Sequence, residues 1–531
     1  GGSGRLSRSA PDGDGRVKGP DRLAATRLVA TWWLPSVIAC AIGALYVCYS
    51  VAQWRALAAP SWDLGIFTEA VQAYSRFEAP IVPIKGPGYN LLGDHFHPLL
   101  ALLGPIFRLF PSALTLLVVQ DALIAVSVLP IARLAQRLLG RGGALLVGLA
   151  YGLGWGLQGA VAAQFHEVCL AVPLLAFGGV AFVERRWGAC MAWLAPLVLV
   201  KEDLGLTVFM AGLVIAWRRR GEGRSAVLRG LAYALFGVVA FVVTVKVLLP
   251  AMNPAGTWAY SLDGAATGAG TPTAGTTTAR AIPSLWDILT TPSVKLATLL
   301  VLLAGAGFVG SASPWFALVL PTLAWRFAGS VEAYYGWDSW HYNAVLVPIA
   351  ACSLLDVMSQ WLAPERTSRS AAASALAEAV GEDALRDLRA DQGASASPRR
   401  GWRVVAWVVA CVPAVSLALT ASSLPLWQLP TLTEDPRMAA AQGALDAVPE
   451  GVSVETDTTL LARLVPGREV YWVGTTGKMD TPPEYVVIDA RSYAWGDQQV
   501  DAESWGSAAH PGHSYETIYA KQGFRVARRT S

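Results

Sequence analysis

The chain has 531 residues, of which 54% are hydrophobic and 15% charged, with a net charge of +3. Soluble proteins carry roughly a quarter charged residues, so the composition excludes an ordinary soluble enzyme. The small net charge gives no indication of nucleic-acid binding. All six cysteines lie within or at the ends of apolar runs, which excludes a disulfide or zinc framework.

Long apolar runs predict an α-helical polytopic membrane protein, because about 20 helical residues cross the bilayer core. Residues 1–30 are basic and predicted to be disordered, beginning with a Gly-Gly-Ser-Gly vector remnant. A transmembrane core is predicted over 31–360 and a last helix over 402–425. The predicted spans, about eleven in number, are 31–55, 113–135, 143–163, 168–184, 188–201, 203–217, 226–250, 291–309, 314–328, 341–360 and 402–425.

Arginine and lysine favour cytoplasmic loops and so predict the orientation. Basic residues before the first span predict that the N-terminus lies in the cytoplasm. Alternation then puts the Arg-rich segments 133–141, 184–186, 217–220 and 366–403 on the same side. An odd number of spans predicts that the polar C-terminal region lies outside the cytoplasm.

Three polar segments interrupt or flank the spans. The external loop 56–112 ends in 97–112, which is too short to span and predicts a helix at the outer interface. The Gly/Thr-rich stretch 251–282 predicts a second external loop. Residues 361–401 predict a flexible cytoplasmic insert.

The last segment, 430–531, predicts a small extracytoplasmic α/β domain. Short apolar runs at 452–455, 469–473 and 485–488 predict strands, with a helix at 458–465 between the first two. This order is βαβ-like. His510 and His513 of this domain are interpreted as loop residues.

Ionisable side chains beside apolar spans are costly, which makes them candidates for function. On this topology they collect at the outer ends of the spans, together with aromatic neighbours. They are Asp63, Asp94, His95, His97, His166, Glu167, Lys201, Glu202, Asp203, Trp337, Asp338, His341 and Tyr342.

The motifs in the first external loop and at 166–167 have structural alternatives. Asp63 is placed to cap an interfacial helix, and Glu167 is placed to meet the dipole of a helix start. Carboxylate and imidazole at Asp94, His95 and His97 suit a divalent ion, or they form a hydrogen-bonded loop.

The motifs at 201–203 and 334–342 also have both structural and functional interpretations. Lys-Glu-Asp at 201–203 forms either a compensated ion cluster at a hairpin tip or a lysine placed for a phosphate, with acids for proton transfer or a metal. The aromatic residues 334–342 are typical of the membrane interface, and they also suit a stacking floor for a sugar.

At these motifs the chain resembles the domain-of-unknown-function 2079 family of bacterial membrane proteins, from about residue 35 to the C-terminus. The motifs are WDLGIF at 62–67, GDHFHP at 93–98, FHE at 165–167, KED at 201–203 and HY at 341–342. That family is usually placed near the GT-C glycosyltransferases. These multi-span enzymes take a sugar from a polyprenyl-phosphate carrier on the outer face and carry an acidic residue in the first external loop, where Asp63 stands here.

The resemblance implies an inverting transfer to a cell-envelope glycan or lipid, with Asp63 as general base. Lys201 and Arg76 would bind the donor phosphate. A divalent ion, Mg or Mn, would be the cofactor. Its implied ligands are Asp94, His95, His97, His166 and Glu167. The implied substrate-binding or supporting residues are Glu202, Asp203, His341, Tyr342, Trp337 and Asp338.

The amino-acid composition is similar to that of actinobacterial proteins. This similarity implies that the expected transferase acts in cell-wall synthesis. Two alternatives stay open. One is a transporter or flippase for lipid-linked sugars, which predicts polar residues at mid-membrane. The other is a non-catalytic envelope assembly protein whose C-terminal domain binds a partner.

Overall fold

The computed structural model describes residues 20–256, 284–363 and 398–531, apart from Ser330, Ser339 and Lys478. Residues 1–19, most of the predicted 251–282 loop and most of the predicted 361–401 insert therefore lie outside the described residues.

Helices make up most of the described chain, and the first begins at Pro20, within the predicted disordered N-terminus. The helices are α1 Pro20–Arg55, α2 Asp63–Ser75, α3 Gly104–Leu109, α4 Ala113–Leu139, α5 Arg141–Gly152, α6 Trp155–Ala162, α7 Ala171–Val183, α8 Trp187–Leu194, α9 Leu204–Arg218, α10 Arg224–Val243, α11 Leu249–Met252, α12 Leu285–Thr290, α13 Val294–Gly305, α14 Val319–Ala328, α15 Leu346–Leu362, α16 Pro398–Thr420, α17 Met438–Asp446, α18 Leu461–Leu464 and α19 Ala502–Ala509.

Four helices in the described residues are long and apolar enough to cross a membrane, and they are Thr31–Arg55, Ala113–Leu139, Arg224–Met252 and Gly401–Ser423. The pair α5 and α6, bent by 41°, is a fifth if it forms one span. Six further apolar helices have only 10–17 residues. At 1.5 Å per residue these are at most about 26 Å long, short of the roughly 30 Å core. The predicted eleven spans are therefore not confirmed.

Hydrogen bonds between helix ends show which segments share one end of the bundle. Nε2 of Gln53, late in α1, donates to the carbonyl of Ala162 at the end of α6, at 2.8 Å. Nδ2 of Asn253, after α11, donates to the carbonyl of Gly93 at 3.0 Å. We call this the loop end, because it carries the loop between α1 and α4.

Arginine-rich segments meet at the opposite end of the bundle. Arg137 at the end of α4 pairs with Glu184 after α7, and Arg218 at the end of α9 pairs with Asp356 in α15. This separation agrees with the predicted alternation of loops. Which end faces the cytoplasm stays a prediction.

The C-terminal domain is a five-stranded sheet with the strand order β2-β1-β3-β5-β4. Its strands are β1 Ser453–Thr456, β2 Glu469–Trp472, β3 Tyr485–Asp489, β4 Tyr515–Lys521 and β5 Phe524–Arg529. β1 pairs with β2 and β3 in parallel, and β5 pairs with β3 and β4 in antiparallel fashion. The three predicted strands and the helix between the first two are confirmed, whereas β4 and β5 were not predicted.

The sheet is anchored directly on α2. The buried carboxyl group of Glu69 accepts hydrogen bonds from the backbone N–H groups of Ile84, at 3.1 Å, and Val470 in β2, at 3.3 Å. A Cβ atom at Gly65 would lie 2.9 Å from Cδ2 of Leu461 in α18, so only glycine permits this approach. The start of α2 therefore lies beneath the C-terminal domain.

Candidate active site

Asp63 is the first residue of α2, at the loop end of the bundle. Its side chain is 31% exposed, and Oδ2 lies 3.5 Å from Nε2 of His166. Ser61 Oγ donates a hydrogen bond to the same oxygen at 2.6 Å. Burial raises the pKa of Asp63, but the imidazole and the hydroxyl outweigh burial and hold the pKa below its usual value. Trp62 occupies the cap position of α2, so the interpretation of Asp63 as an N-cap is wrong.

His166 joins Asp63 to a second histidine. Its ring stacks on His341 with 3.6 Å between centroids and 21° between the planes. Its backbone N–H donates to Oε1 of Gln120 in α4 at 3.2 Å, which fixes its position. The stack therefore places two imidazole rings side by side next to Asp63.

Behind this stack lies a buried ion pair between two predicted residues. Nζ of Lys201 is 2.7 Å from Oε1 of Glu167. Glu167 begins a short 3-10 turn that leads into α7, while Lys201 precedes α9. Their charges compensate each other, so Lys201 is a phosphate ligand only if a donor phosphate competes with Glu167.

Glu202 holds the predicted 93–98 motif in place. Its Oε1 lies 2.7 Å from Nδ1 of His95, and its Oε2 accepts a hydrogen bond from the backbone N–H of Phe96 at 3.0 Å. Burial lowers the pKa of His95, but the charge of Glu202 reverses this effect and raises the pKa above its usual value. Glu202 therefore favours the protonated form of the His95 imidazole.

Asp94 points to a different partner, which was not predicted. Nζ of Lys85 donates to its Oδ2 at 2.5 Å. Burial raises the pKa of Asp94, but His95 and Lys85 lower this pKa by a larger amount. The net shift is therefore downward. The 93–98 segment is thus fixed by one ion pair on each side.

His97 and Asp203 each lie beside an aromatic side chain. Neither ring nitrogen of buried His97 has a hydrogen-bond partner in the described chain, and the Phe67 ring meets it edge to face at 5.7 Å. Burial lowers the pKa of His97 to about 4, so the ring is neutral. Asp203 Oδ2 accepts a hydrogen bond from Nε1 of Trp325 at 3.0 Å. Both residues position their segments.

The predicted metal ligands are not gathered into one set. Within residues 20–256, 284–363 and 398–531, no group of three or more His, Cys, Asp or Glu side chains is arranged to hold a metal ion. Four of the five have an ionic partner instead. The five are Asp94, His95, His97, His166 and Glu167. Binding of Mg or Mn by these residues stays a prediction.

Arg76 does not join the cluster. It follows the last residue of α2, about 20 Å from Asp63 at 1.5 Å per helical residue. Its guanidinium is 53% exposed and pairs at 2.8 Å with Glu78, which is 56% exposed. The prediction that Arg76 binds the phosphate beside Asp63 is wrong for this structure, because helical geometry separates the two.

The aromatic loop before α15 is held by a buried arginine. Arg326 in α14 donates from Nε to the carbonyl of Tyr334 at 2.8 Å and from Nη1 to that of Tyr342 at 3.2 Å. The two tyrosine rings meet edge to face at 4.8 Å. Trp337 and Asp338 are half-buried in the same loop. The loop brings aromatic surface next to the histidine stack.

Three residues of this assembly were not singled out from the sequence, namely Lys85, Trp325 and Arg326. Trp325 and Arg326 lie inside the predicted span 314–328, and an arginine in an apolar span is itself a signal of a special role. Lys85 had no comparable signal, since a single lysine in a polar loop is common.

Two carboxyl groups on α2 differ sharply. The pKa of Glu69 is raised well above its usual value, because its burial outweighs the two backbone N–H donors. The pKa of Asp63 is lowered by His166 and Ser61, which outweigh its burial. Glu69 is therefore suited to anchoring the domain, and Asp63 is suited to accepting a proton.

An apolar cleft opens in the helix bundle near the bend between α5 and α6. It is lined by Gly154, Trp155 and Val347, and by Pro413 and Leu417 of α16. No Asp, Glu, Lys, Arg or His lines it. Such a cleft suits a hydrocarbon chain.

Two solved structures resemble this chain at low identity. ArnT from Cupriavidus metallidurans bound to undecaprenyl phosphate is 16% identical, with a TM-score of 0.46, covering 92% of this chain and 97% of that one. The apo state of the same protein is 17% identical, with a TM-score of 0.45, covering 95% and 98%. Similarity at this level supports no conclusion about a shared fold or activity. No curated protein matches the chain significantly.

A family model gives a clear assignment. The model described as "Predicted membrane protein (DUF2079)" matches residues 54–526, which include every predicted site residue and all but the last five residues of the C-terminal domain. The match agrees with the four or five apolar spans. The chain belongs to the DUF2079 family of predicted membrane proteins.

Proposed function

We propose that this protein is a membrane glycosyltransferase of the GT-C type, which transfers a sugar from a polyprenyl-phosphate donor to an envelope glycan or lipid. The proposal rests on Asp63, a partly exposed carboxylate whose pKa is held below its usual value beside His166. Charged residues from four other segments surround it at the loop end. Under the predicted topology this end faces outward.

The transfer is an inverting displacement. The oxygen of an acceptor hydroxyl forms a bond to the anomeric carbon of the donor as the bond from that carbon to the phosphate oxygen breaks. The hydroxyl proton passes to Asp63, and the electron pair leaves with polyprenyl phosphate. A carboxylate that stays ionised is suited to this role, and a general base of this kind contributes about 10²–10⁴-fold in rate.

The leaving phosphate gains negative charge and needs a cation nearby. Lys201 is the candidate, and its pairing with Glu167 at 2.7 Å keeps it fixed before the donor binds. His95 supplies a second positive charge, fixed by Glu202. The exposed apolar side chains Leu102, Leu109 and Phe110 of the 97–112 segment suit contact with lipid beside this site.

The test uses purified protein in nanodiscs with a pool of polyprenyl-phosphate sugars, and measures release of polyprenyl phosphate with an envelope extract as acceptor. Asp63→Asn is expected to lose about 10²–10⁴-fold in rate while unfolding at the wild-type temperature. Glu78→Gln, which removes an exposed carboxylate of the same loop, is the matched control. Wild-type turnover by Asp63→Asn would refute the role of Asp63 as base.

A transporter for lipid-linked sugars is the second candidate, and one observation favours it. Asp121 is buried within α4, and it forms no ion pair among the residues the structure describes. A buried ionisable group in a span is a functional candidate. Loss of lipid-sugar movement in Asp121→Asn, with Asp63→Asn unaffected, would support the transporter over the transferase.

A further inference from the structure

The parallel half of the C-terminal sheet has a topological switch point beside β1. β1 lies between β2 and β3 in the sheet. The chain therefore runs from β1 to β2 on one side and then crosses β1 to reach β3 on the other side. The chain leaves β1 and β3 in opposite directions, and the segments that follow these strands lie side by side at the carboxyl edge of the sheet. Open α/β sheets bind their ligands at such a switch point, outside the carboxyl ends of the strands.

Polar and aromatic side chains from both segments line this edge. The hydroxyl oxygens of Thr458, after β1, and Ser492, after β3, are 3.2 Å apart. Nε1 of Trp495 donates to Oδ2 of Asp457 at 3.1 Å, which ties the two segments together. The ring of Tyr493 is exposed. The edge is thus rigid, with an aromatic ring on its surface.

The same edge faces the loop that carries the candidate base. The hydroxyl of Tyr493 donates to the carbonyl of Pro60 at 3.4 Å. Trp62, the residue before Asp63, meets Trp472 at the end of β2 edge to face at 4.9 Å. A cleft runs between the loop and the sheet, and Thr458 and Thr459 line it on the sheet side. A ligand on this edge would lie next to Asp63.

The chemistry of the edge suits a carbohydrate. Aromatic rings present an apolar face with a polar tip, and hydroxyl groups both donate and accept hydrogen bonds, as sugar hydroxyls do. Asp489 at the end of β3 is already compensated by Arg437, at 2.7 Å, so its charge is not available to a ligand. These features favour a neutral, hydroxyl-rich ligand.

We propose that this carboxyl edge binds the glycan acceptor, with Tyr493 stacking on a sugar ring and the hydroxyl of Thr459 bonding to a sugar hydroxyl. The role as acceptor site rests on the proposed transferase function. The glycan would enter between the sheet edge and the α1–α2 loop and present one hydroxyl to Asp63. Specificity for the acceptor would then be set by the C-terminal domain.

The test measures binding apart from transfer. The full chain in nanodiscs is mixed with neutral arabinan-, galactan- and mannan-derived oligosaccharides of four to eight sugars, and saturation-transfer NMR detects bound sugar. At least one oligosaccharide is expected to give a signal. Tyr493→Ala is expected to weaken its affinity about 10-fold or more, equal to about 1.4 kcal/mol, and Tyr493→Phe is expected to recover most of it by restoring the ring.

Ile518→Ala, on the far strand β4, is the matched surface control and is expected to bind as the wild type does. No signal from any oligosaccharide, or equal binding by Tyr493→Ala and wild type, would overturn the inference. Asp63→Asn separates the two proposals. Binding that survives in Asp63→Asn without any transfer by the wild type would leave a glycan-binding edge and remove the transferase. Sugar transfer that is unaffected by Tyr493→Ala would leave the transferase function and remove the glycan-binding edge.

Discussion

The buried ion pair between Lys201 and Glu167 makes a strong prediction about stability. The two charged atoms are 2.7 Å apart, and the side chains are only 11% and 2% exposed. Removing one partner leaves the other charge buried and uncompensated, which costs about 3–5 kcal/mol. Lys201→Met and Glu167→Gln are each expected to lower the unfolding temperature clearly. The double variant, which buries neither charge, is expected to regain roughly half of the loss or more.

Thermal unfolding in detergent, followed by tryptophan fluorescence, provides the assay, because the chain has 21 tryptophans. The exposed pair of Arg76 and Glu78 is the matched control, since an ion pair in solvent is worth about 0–1 kcal/mol. The two single variants and the double variant of this exposed pair are expected to change the unfolding temperature little. Single variants at Lys201 or Glu167 that unfold at the wild-type temperature would refute the buried pairing, and so would a double variant less stable than both.

Three further outcomes are expected. His166→Gln removes the group that lowers the pKa of Asp63, so burial dominates and the pKa of Asp63 rises. The acid limb of the rate–pH profile is therefore expected to move to higher pH. An acid limb that does not move would contradict the pairing of Asp63 with His166. Arg76→Ala is expected to transfer sugar at the wild-type rate, since its guanidinium is far from the cluster, and a large rise in KM for the donor would contradict this. Gly93→Ala would place a Cβ atom 2.4 Å from the backbone of Asn253, so limited proteolysis is expected to cut the 93–98 segment faster than in the wild type, and equal cutting would argue against the contact.

The motifs predicted most of the candidate site. His95, His166, Lys201 and His341 were chosen because ionisable side chains beside apolar spans are costly, and the structure brings all four to the loop end. The family resemblance implies Arg76 as a phosphate ligand, but the length of α2 separates Arg76 from Asp63. His510 is a loop residue directly after α19, as predicted, but the sequence did not indicate that it is buried with Nε2 2.7 Å from Oε2 of Glu455. Sequence distance does not give the direction of a side chain.

The span count shows a different limit. Hydropathy located the apolar runs, and helices occur in the described parts of those ranges. Several of these helices are too short to cross a bilayer alone, so composition does not decide whether each one spans, tilts or ends inside the protein. The sequence reports how apolar a segment is, whereas packing against its neighbours decides its path.

By itself the sequence determined that this is a helical membrane protein with a small C-terminal α/β domain, because long apolar runs and short alternating strands are local patterns. It also indicated which polar residues are too costly to be accidental. Only the tertiary structure decided their partners. Asp63 faces His166 rather than capping α2, Glu167 meets Lys201, and the switch point beside β1 faces the loop before Asp63. These pairings join segments far apart in the chain, and no local pattern carries that information.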